Sequence, residues 1–407
     1  MVHKNLMLVL FAVTFTGHVN ASAYAGSDRP MNRRERYEIT AYRYVRPGVS
    51  YYYVTDRRGP WRIHVLEVDL THTELDVTSA RALDKLFGRE KTTSIALRHE
   101  TPDRTVVAAL NADFFSLATG EIENNNVIDG EFVKGTKMTE TTNDTFDNIH
   151  SQFALSSDRR LFLDRFEFVG RALPGRSSPI DLFGVNDAPK SNTVVLFNRY
   201  FGPSTPTDTV KMTIDEVFLR TLRISRDTLY ATVTGKTNAG GSRLDSTTSV
   251  LAGYNLSAQH ALTTAVIGDT MKVWLGTNPA AGVPHTLVGG WPRIVLNGKN
   301  VGASTDAVEG TFPSFSAQRN PRSGVGFSMD STTVYFIAVD GRQKTSAGMT
   351  LSEFADLMIA QGVYQGLNLD GGGSTTFVLE GTIMNVPSDA AGERAVGNCI
   401  LLTAPKR

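Results

Sequence analysis

Two acidic turns stand out as residues that could do chemistry. Asp340-Gly341-Arg342 follows the apolar run Val334–Val339, and Asp370-Gly371-Gly372-Gly373-Ser374 follows Gln365–Leu369. Carboxylates move protons or attack carbon, and a guanidinium grips an anion. Three consecutive glycines can expose backbone N–H groups at one point, as an anion-binding nest. Together these types suit hydrolysis of an anionic or sugar substrate. Each Asp-Gly pair alone reads as an ordinary turn, so the argument depends on what brings the two together.

The elements between them supply an answer. Val334–Val339 is near-continuously apolar, as in a strand covered on both faces. Thr350 with Glu353 three residues on is a capping box that opens a helix. Leu351, Phe354, Leu357 and Met358 share one helical face, and Gly362 supplies the stop. Gln365–Leu369 is a second strand. Strand, helix and strand in so short a span predict a right-handed parallel crossover. Asp340 and Asp370 then end strands on one rim, where ligands bind in parallel sheets. The glycines lead into the strand-like Ser374–Val378 rather than a helix, which argues against a nucleotide phosphate site.

The chain has 407 residues, enough for a large core. Its 41 basic and 41 acidic side chains balance, so bulk charge offers nothing to nucleic acid or an anionic membrane surface. Leu6–Thr16 is apolar and Ala21-Ser22-Ala23 is a small-residue cleavage pattern, so residues 1–23 read as a secretory signal. No later run is long enough to span a bilayer, and the mature chain is expected to be secreted or periplasmic, without an integral membrane segment. A single cysteine, Cys399, excludes an internal disulfide and reads as a buried strand residue. Asn143-Asp-Thr145 and Asn255-Leu-Ser257 are glycosylation sequons.

Residues 24–44, with Arg29, Arg33, Arg34 and Arg36, read as a charged linker before one domain over 45–407. Strands are expected at Tyr51–Thr55, Trp61–Leu70 and Thr105–Leu110, a short helix at Thr92–Glu100, and a hairpin about Asp129-Gly130. Asn111-Ala112-Asp113-Phe114-Phe115 follows a buried strand. It reads either as side chains presented at a strand end or as an Asx-turn capped by core aromatics. Residues 156–285 form a β-rich, mostly antiparallel middle, with Val210–Thr213 among its strands. Ala303–Ser316 is a polar loop and a candidate mobile lid. Asn320-Pro321 then fixes a turn that presents Arg322. The expected class is α+β, with a mixed sheet core, a βαβ crossover near the C-terminus and the β-rich middle.

Taken in order, these motifs resemble the phosphodiester glycosidase family over roughly residues 60–403. The residues that carry the likeness are Asn111–Phe115, Gly289-Gly-Trp-Pro-Arg293 and Asn320–Gly324, with Val339-Asp-Gly-Arg-Gln343, Ser346–Thr350, Leu367–Thr376 and Glu393-Arg-Ala-Val396. The chain has Ala112-Asp113 where the family often has Gly-Gly, Asn320 where it often has His, and Ser323 where it often has Thr. The resemblance implies hydrolysis of a sugar-1-phosphodiester or related glycosidic bond, with a glycan or glycosyl-phosphate substrate. The alternative is a non-catalytic glycan-binding or scaffolding module of envelope polysaccharide assembly. Glycosidic cleavage asks for two carboxylates. Asp370 is the expected nucleophile or base, Asp340 its partner or acid, and Asp113 a third candidate. Arg322 and Arg342, the amides of Gly371, Gly372 and Gly373, and the hydroxyls of Ser374 and Thr375 would hold phosphate. Asn111 and Asn368 would orient sugar hydroxyls or the carboxylates. Asp113, Asp340 and Asp370 are also the candidate ligands for Ca2+ or Mg2+.

Overall fold

Alternation of side chains along the strands decides the layering. In Thr333–Val339, Val334, Phe336 and Ala338 join one core, while Tyr335, Ile337 and Val339 join another. A strand buried on both faces needs a layer on each side. On one side lies the helix Leu351–Gln361, packing Phe354, Leu357 and Met358 with Ile63 and Val65. On the other lies a second sheet, which meets Leu66, Val68 and Phe336 with Leu110, Phe377, Ile400 and Leu402. That sheet's outer face packs Ala109, Cys399 and Leu401 against Ile95 and Ala96 of the helix Thr92–Arg98. The result is a helix–sheet–sheet–helix stack. The computed structural model describes residues 37–57, 59–142, 144–174, 178–206 and 212–407, all within one compact unit. The expected signal segment, residues 24–36 of the expected linker, Asn143 and the start of Val210–Thr213 lie outside the described residues.

The first sheet has eight strands in the order Glu38–Arg46, Val49–Asp56, Trp61–Asp69, Thr333–Val339, Arg322–Phe327, Gln365–Asn368, Arg293–Leu296, Lys299–Asn300. All of its pairings are antiparallel. Two expectations change here. Glu38–Arg46 is a strand, so the linker does not reach residue 44. The crossover is also split. Thr333–Val339 and Gln365–Asn368 run the same way and are joined by the helix, but they do not pair. Arg322–Phe327 lies between them, antiparallel to both. The core sheet is therefore not mixed. Strand order depends on which distant segment inserts, and local pattern carries no record of that. The helix itself is as read: Thr350 and Glu353 close a capping box, and Gly362 ends it at φ 104°.

The facing sheet runs Thr382–Ile383, Phe377–Leu379, Arg104–Asn111, Asn398–Pro405, Asp76–Arg81, again antiparallel. The middle region builds a separate eight-stranded sheet with its own core around Phe168, Leu251 and Val273. It is antiparallel except where Gly184–Val185 meets Val194–Phe197. A five-stranded sheet joins the two regions, placing Phe153 and Val288 in the main core and Ala154 and Leu287 in the middle one. Residues 303–316 are not a loose lid. They contain the short helices Thr305–Glu309 and Pro313–Ala317, and buried Glu309 accepts hydrogen bonds from Ser151 N at 2.8 Å and Arg293 N at 2.9 Å.

Candidate active site

The split crossover still delivers both acidic turns to one rim. Val339 pairs with Arg322, and Asn368 pairs with Gly324. The two strand ends are thus two strand spacings apart, about 10 Å along the hydrogen-bonding direction. Pro321 lies between the turns. A Cβ on Gly341 would sit 2.5 Å from Pro321 N, and one on Gly371 would sit 2.6 Å from Pro321 O. The rim of the facing sheet closes over this point. Asp370 N donates to Ala112 O at 2.8 Å, and Asn111 Nδ2 donates to Asp370 O at 2.6 Å.

A cleft of about 710 Å³ opens at this junction. It is lined by Asp370 and Arg394, by the hairpin Phe114–Glu123, and by Phe183, Asp187, Ala188 and Lys190 from the middle region. Asp370 is half-buried. Burial pushes its carboxyl up to about 7, helped by the negative charge of Glu123. A hydrogen bond with Ser374, the charge of Arg394 and the Gly371 amide pull the other way. A carboxyl poised there can give or take a proton near neutral pH.

The other expected site residues fall into different settings. Asp340 is on the rim, but its side chain turns inward. Oδ1 accepts from Val386 N at 2.8 Å, and Oδ2 lies 4.0 Å from His64 Nε2. It does not line the cleft. Asp113 is buried behind the cleft wall and accepts both the amide and the side-chain N–H of Asn124, at 3.0 and 2.7 Å. Burial pushes its carboxyl up to about 6, against the Asn124 hydrogen bonds and with the Glu123 charge adding to the rise. Asp113, Asp340 and Asp370 therefore do not form the shared cation site that their types allowed. Among the described residues the group with ligand spacing is Asp76, Asp129 and His285, which is not part of the cleft.

Arg322 is buried, and its guanidinium donates to Met349 O at 2.8 Å, Gln318 O at 3.0 Å and Phe315 O at 3.1 Å. Burial, with Arg342 nearby, lowers its pKa to about 10. Its donors hold the chain entering the rim rather than an open subsite. Arg342 is exposed. It donates twice to Asn320 Oδ1, and it packs against Gly372, where a Cβ would meet Nη2 at 2.9 Å.

Asn111 and Asn368 are spent on the frame. Asn111 Oδ1 accepts from Ser323 Oγ at 2.7 Å and Thr376 N at 3.0 Å, and Asn368 Nδ2 donates to Trp291 O at 2.6 Å. The glycine run is not an open nest. Gly372 N donates to Pro321 O, and the Gly371 amide serves Asp370 itself. Ser374 is buried and bonds Arg394, while Thr375 Oγ1 is buried without a hydrogen-bond partner.

Gly373 has a packing reason to be glycine. A Cβ there would collide with Arg394 Nη2 and Asp389 Oδ1, which are themselves paired. Gly373→Ala should cost about 1–3 kcal/mol by overpacking. It should also move the Asp370 titration to higher pH as the guanidinium is displaced. Thermal unfolding and carboxyl NMR would read the two effects.

Sequence reasoning left Glu123 and Arg394 out of the site. Arg394 lay within a recognised motif but without an assigned role. Glu123 carried no signal, because only the fold brings the Phe114–Glu123 hairpin to the cleft that Asp370 lines.

Comparison with known proteins bears out the family likeness. Residues 226–403 match the phosphodiester glycosidase family. The Asn111–Phe115 segment and Glu123 lie outside the matched stretch. The mouse N-acetylglucosamine-1-phosphodiester alpha-N-acetylglucosaminidase is 36% identical over 110 residues, covering 25% of this chain and 21% of that protein. The chain thus spans about a fifth of the length of that curated relative. Among solved structures, a hypothetical protein from Synechocystis matches with a TM-score of 0.65 at 17% identity, covering 88% of this chain and 62% of that one. A Burkholderia pseudomallei protein matches at 0.61 and 20% identity, covering 84% and 74%. At such identities these structures speak to the fold alone.

Proposed function

We propose that this chain is an exported hydrolase that cleaves a sugar-1-phosphodiester or a related glycosidic bond in the Asp370 cleft. The observation that carries the reading is a half-buried carboxyl held near neutral pH beside an arginine, in a cleft large enough for a sugar. The family match supports the reaction class, and the leader-like residues 1–23 support export to a secreted or periplasmic location. No helix among the described residues is long and apolar enough to cross a membrane.

In this reading Asp370 is protonated in the resting site and gives its proton to the departing oxygen. Arg394 lines the same cleft, so its guanidinium is the one placed to meet a leaving phosphate. Asn111, Asn368 and Arg322 keep the two rims in register. The substrate is a glycan or glycosyl phosphate rather than a nucleic acid.

The test is a panel of glycosyl-1-phosphate methyl diesters and nitrophenyl α-glycosides, with free sugar as the readout. Release from at least one diester is expected, and it should survive a chelator. Binding without turnover across the panel would overturn the hydrolase reading in favour of a glycan-binding module.

A further inference from the structure

Hydrolysis at an anomeric carbon needs a second carboxylate, and Asp340 is not in the cleft. Four other carboxylates line it: Glu121, Glu123, Glu140 and Asp187. Glu121 is ion-paired with Lys134 at 2.9 Å, and Glu140 with Lys190 at 2.6 Å. Asp187 caps Ala188 N at 2.8 Å and answers to the charges of Lys134 and Glu121. Glu123 lines the cleft together with Asp370, and its negative charge raises the carboxyls of both Asp370 and Asp113.

The backbone there is fixed. Glu123 N donates to Phe114 O at 3.0 Å, Phe115 bridges Ile122, and Asp113 grips Asn124 through both oxygens. Thr141 Oγ1 donates to Glu123 Oε1 at 3.0 Å, which orients the carboxylate.

We propose that Glu123 is the second catalytic carboxylate of the Asp370 cleft, with Asp113 as the positioning residue that holds the Glu123-Asn124 segment. The proposal rests on the hydrolase reading given above. Glu123, ionised, takes a proton from the water whose oxygen bonds to the anomeric carbon. As the bond from that carbon to the leaving oxygen breaks, its electron pair goes to the leaving oxygen, which takes the Asp370 proton. Solvent then returns the proton from Glu123 to Asp370. Water is consumed, and the sugar and the free phosphate ester are released.

Two measurements on the full chain test this. With the panel member that the wild type cleaves, Glu123→Gln should lose about 10²- to 10⁴-fold in kcat with KM little changed. Glu123→Asp, which keeps the charge, should recover part of that loss. Without any substrate, 13C NMR of labelled aspartate carboxyls, assigned with Asp370→Asn, should show the Asp370 midpoint falling in Glu123→Gln. The groups facing Asp370 that bear on this midpoint are Glu123, Arg394 and Ser374, and only Glu123 is changed.

Turnover within about threefold of wild type, or an unmoved Asp370 midpoint in a folded variant, would overturn the Glu123 assignment alone. Retained turnover in Asp370→Asn would instead overturn the hydrolase reading on which it rests.

Discussion

Asp370→Asn is expected to abolish turnover while leaving the protein at least as stable as the wild type above neutral pH. The catalytic half follows from acid–base chemistry. Loss of a positioned proton donor costs about 10²- to 10⁴-fold, and amide nitrogen cannot replace it. The stability half follows from linkage. Burial raises the Asp370 pKa in the folded chain to about 7, from an ordinary value of 3.8. Between those two values the folded state binds the proton and the unfolded state does not. That contribution to stability is complete below about pH 4 and is lost as pH rises through about 7.

Asp113, raised to about 6, adds a loss of the same sign in the same window. At pH 8 the wild type therefore carries two disfavoured charges near the cleft, and the Asn variant carries one. A gain of about 2 kcal/mol for Asp370→Asn at pH 8, vanishing at pH 4, is the expected result of urea unfolding at the two pH values. A variant that is inactive and also unstable at pH 8 would mean that Asp370 supports the fold rather than the chemistry.

The second large effect is expected at Arg322, and it is structural. Arg322→Met removes the hydrogen bonds that the buried guanidinium donates to Met349 O, Gln318 O and Phe315 O. Each such loss costs on the order of 1 kcal/mol, so about 3 kcal/mol in all is expected. The stacking of the guanidinium over Phe315, 5.1 Å from the ring centre, is lost as well. Below the unfolding transition, KM for an anionic substrate should change little. A large rise in KM with unchanged stability would return Arg322 to the role its position in the sequence suggested. Arg394, which lines the cleft with Asp370, is where such a rise is expected instead.

These two residues mark what was legible in the chain. Asp-Gly after a strand, the capping box at Thr350 and Glu353, and the stop at Gly362 are local patterns, and local hydrogen bonding enforces them. The apolar run Val334–Val339 correctly implied cover on both faces, because alternate residues must each meet a layer. Cys399 was legible for the same reason: burial among Ala109 and Leu401 raises its thiol pKa and keeps it a core residue.

What stayed hidden was every matter of orientation between distant segments. Arg322–Phe327 enters between two strands that sequence order makes look adjacent. Asp340 and Asp370 share a rim, yet one faces His64 and the other the cleft. The strand Glu38–Arg46 looked like linker because seven of its nine residues are exposed and carry no apolar alternation.

The sequence by itself determined the two acidic turns, the helix between the strands that bear them, the β-rich middle and the family likeness. All of these rest on interactions within a few residues or on motif order. Tertiary structure alone decided which carboxylates share a cleft, because a side chain's environment is set by whatever the other sheet and the middle region bring against it. The pKa values near neutral arise the same way: burial by segments distant in the chain removes water from Asp370 and leaves Glu123 and Arg394 as the charges it feels.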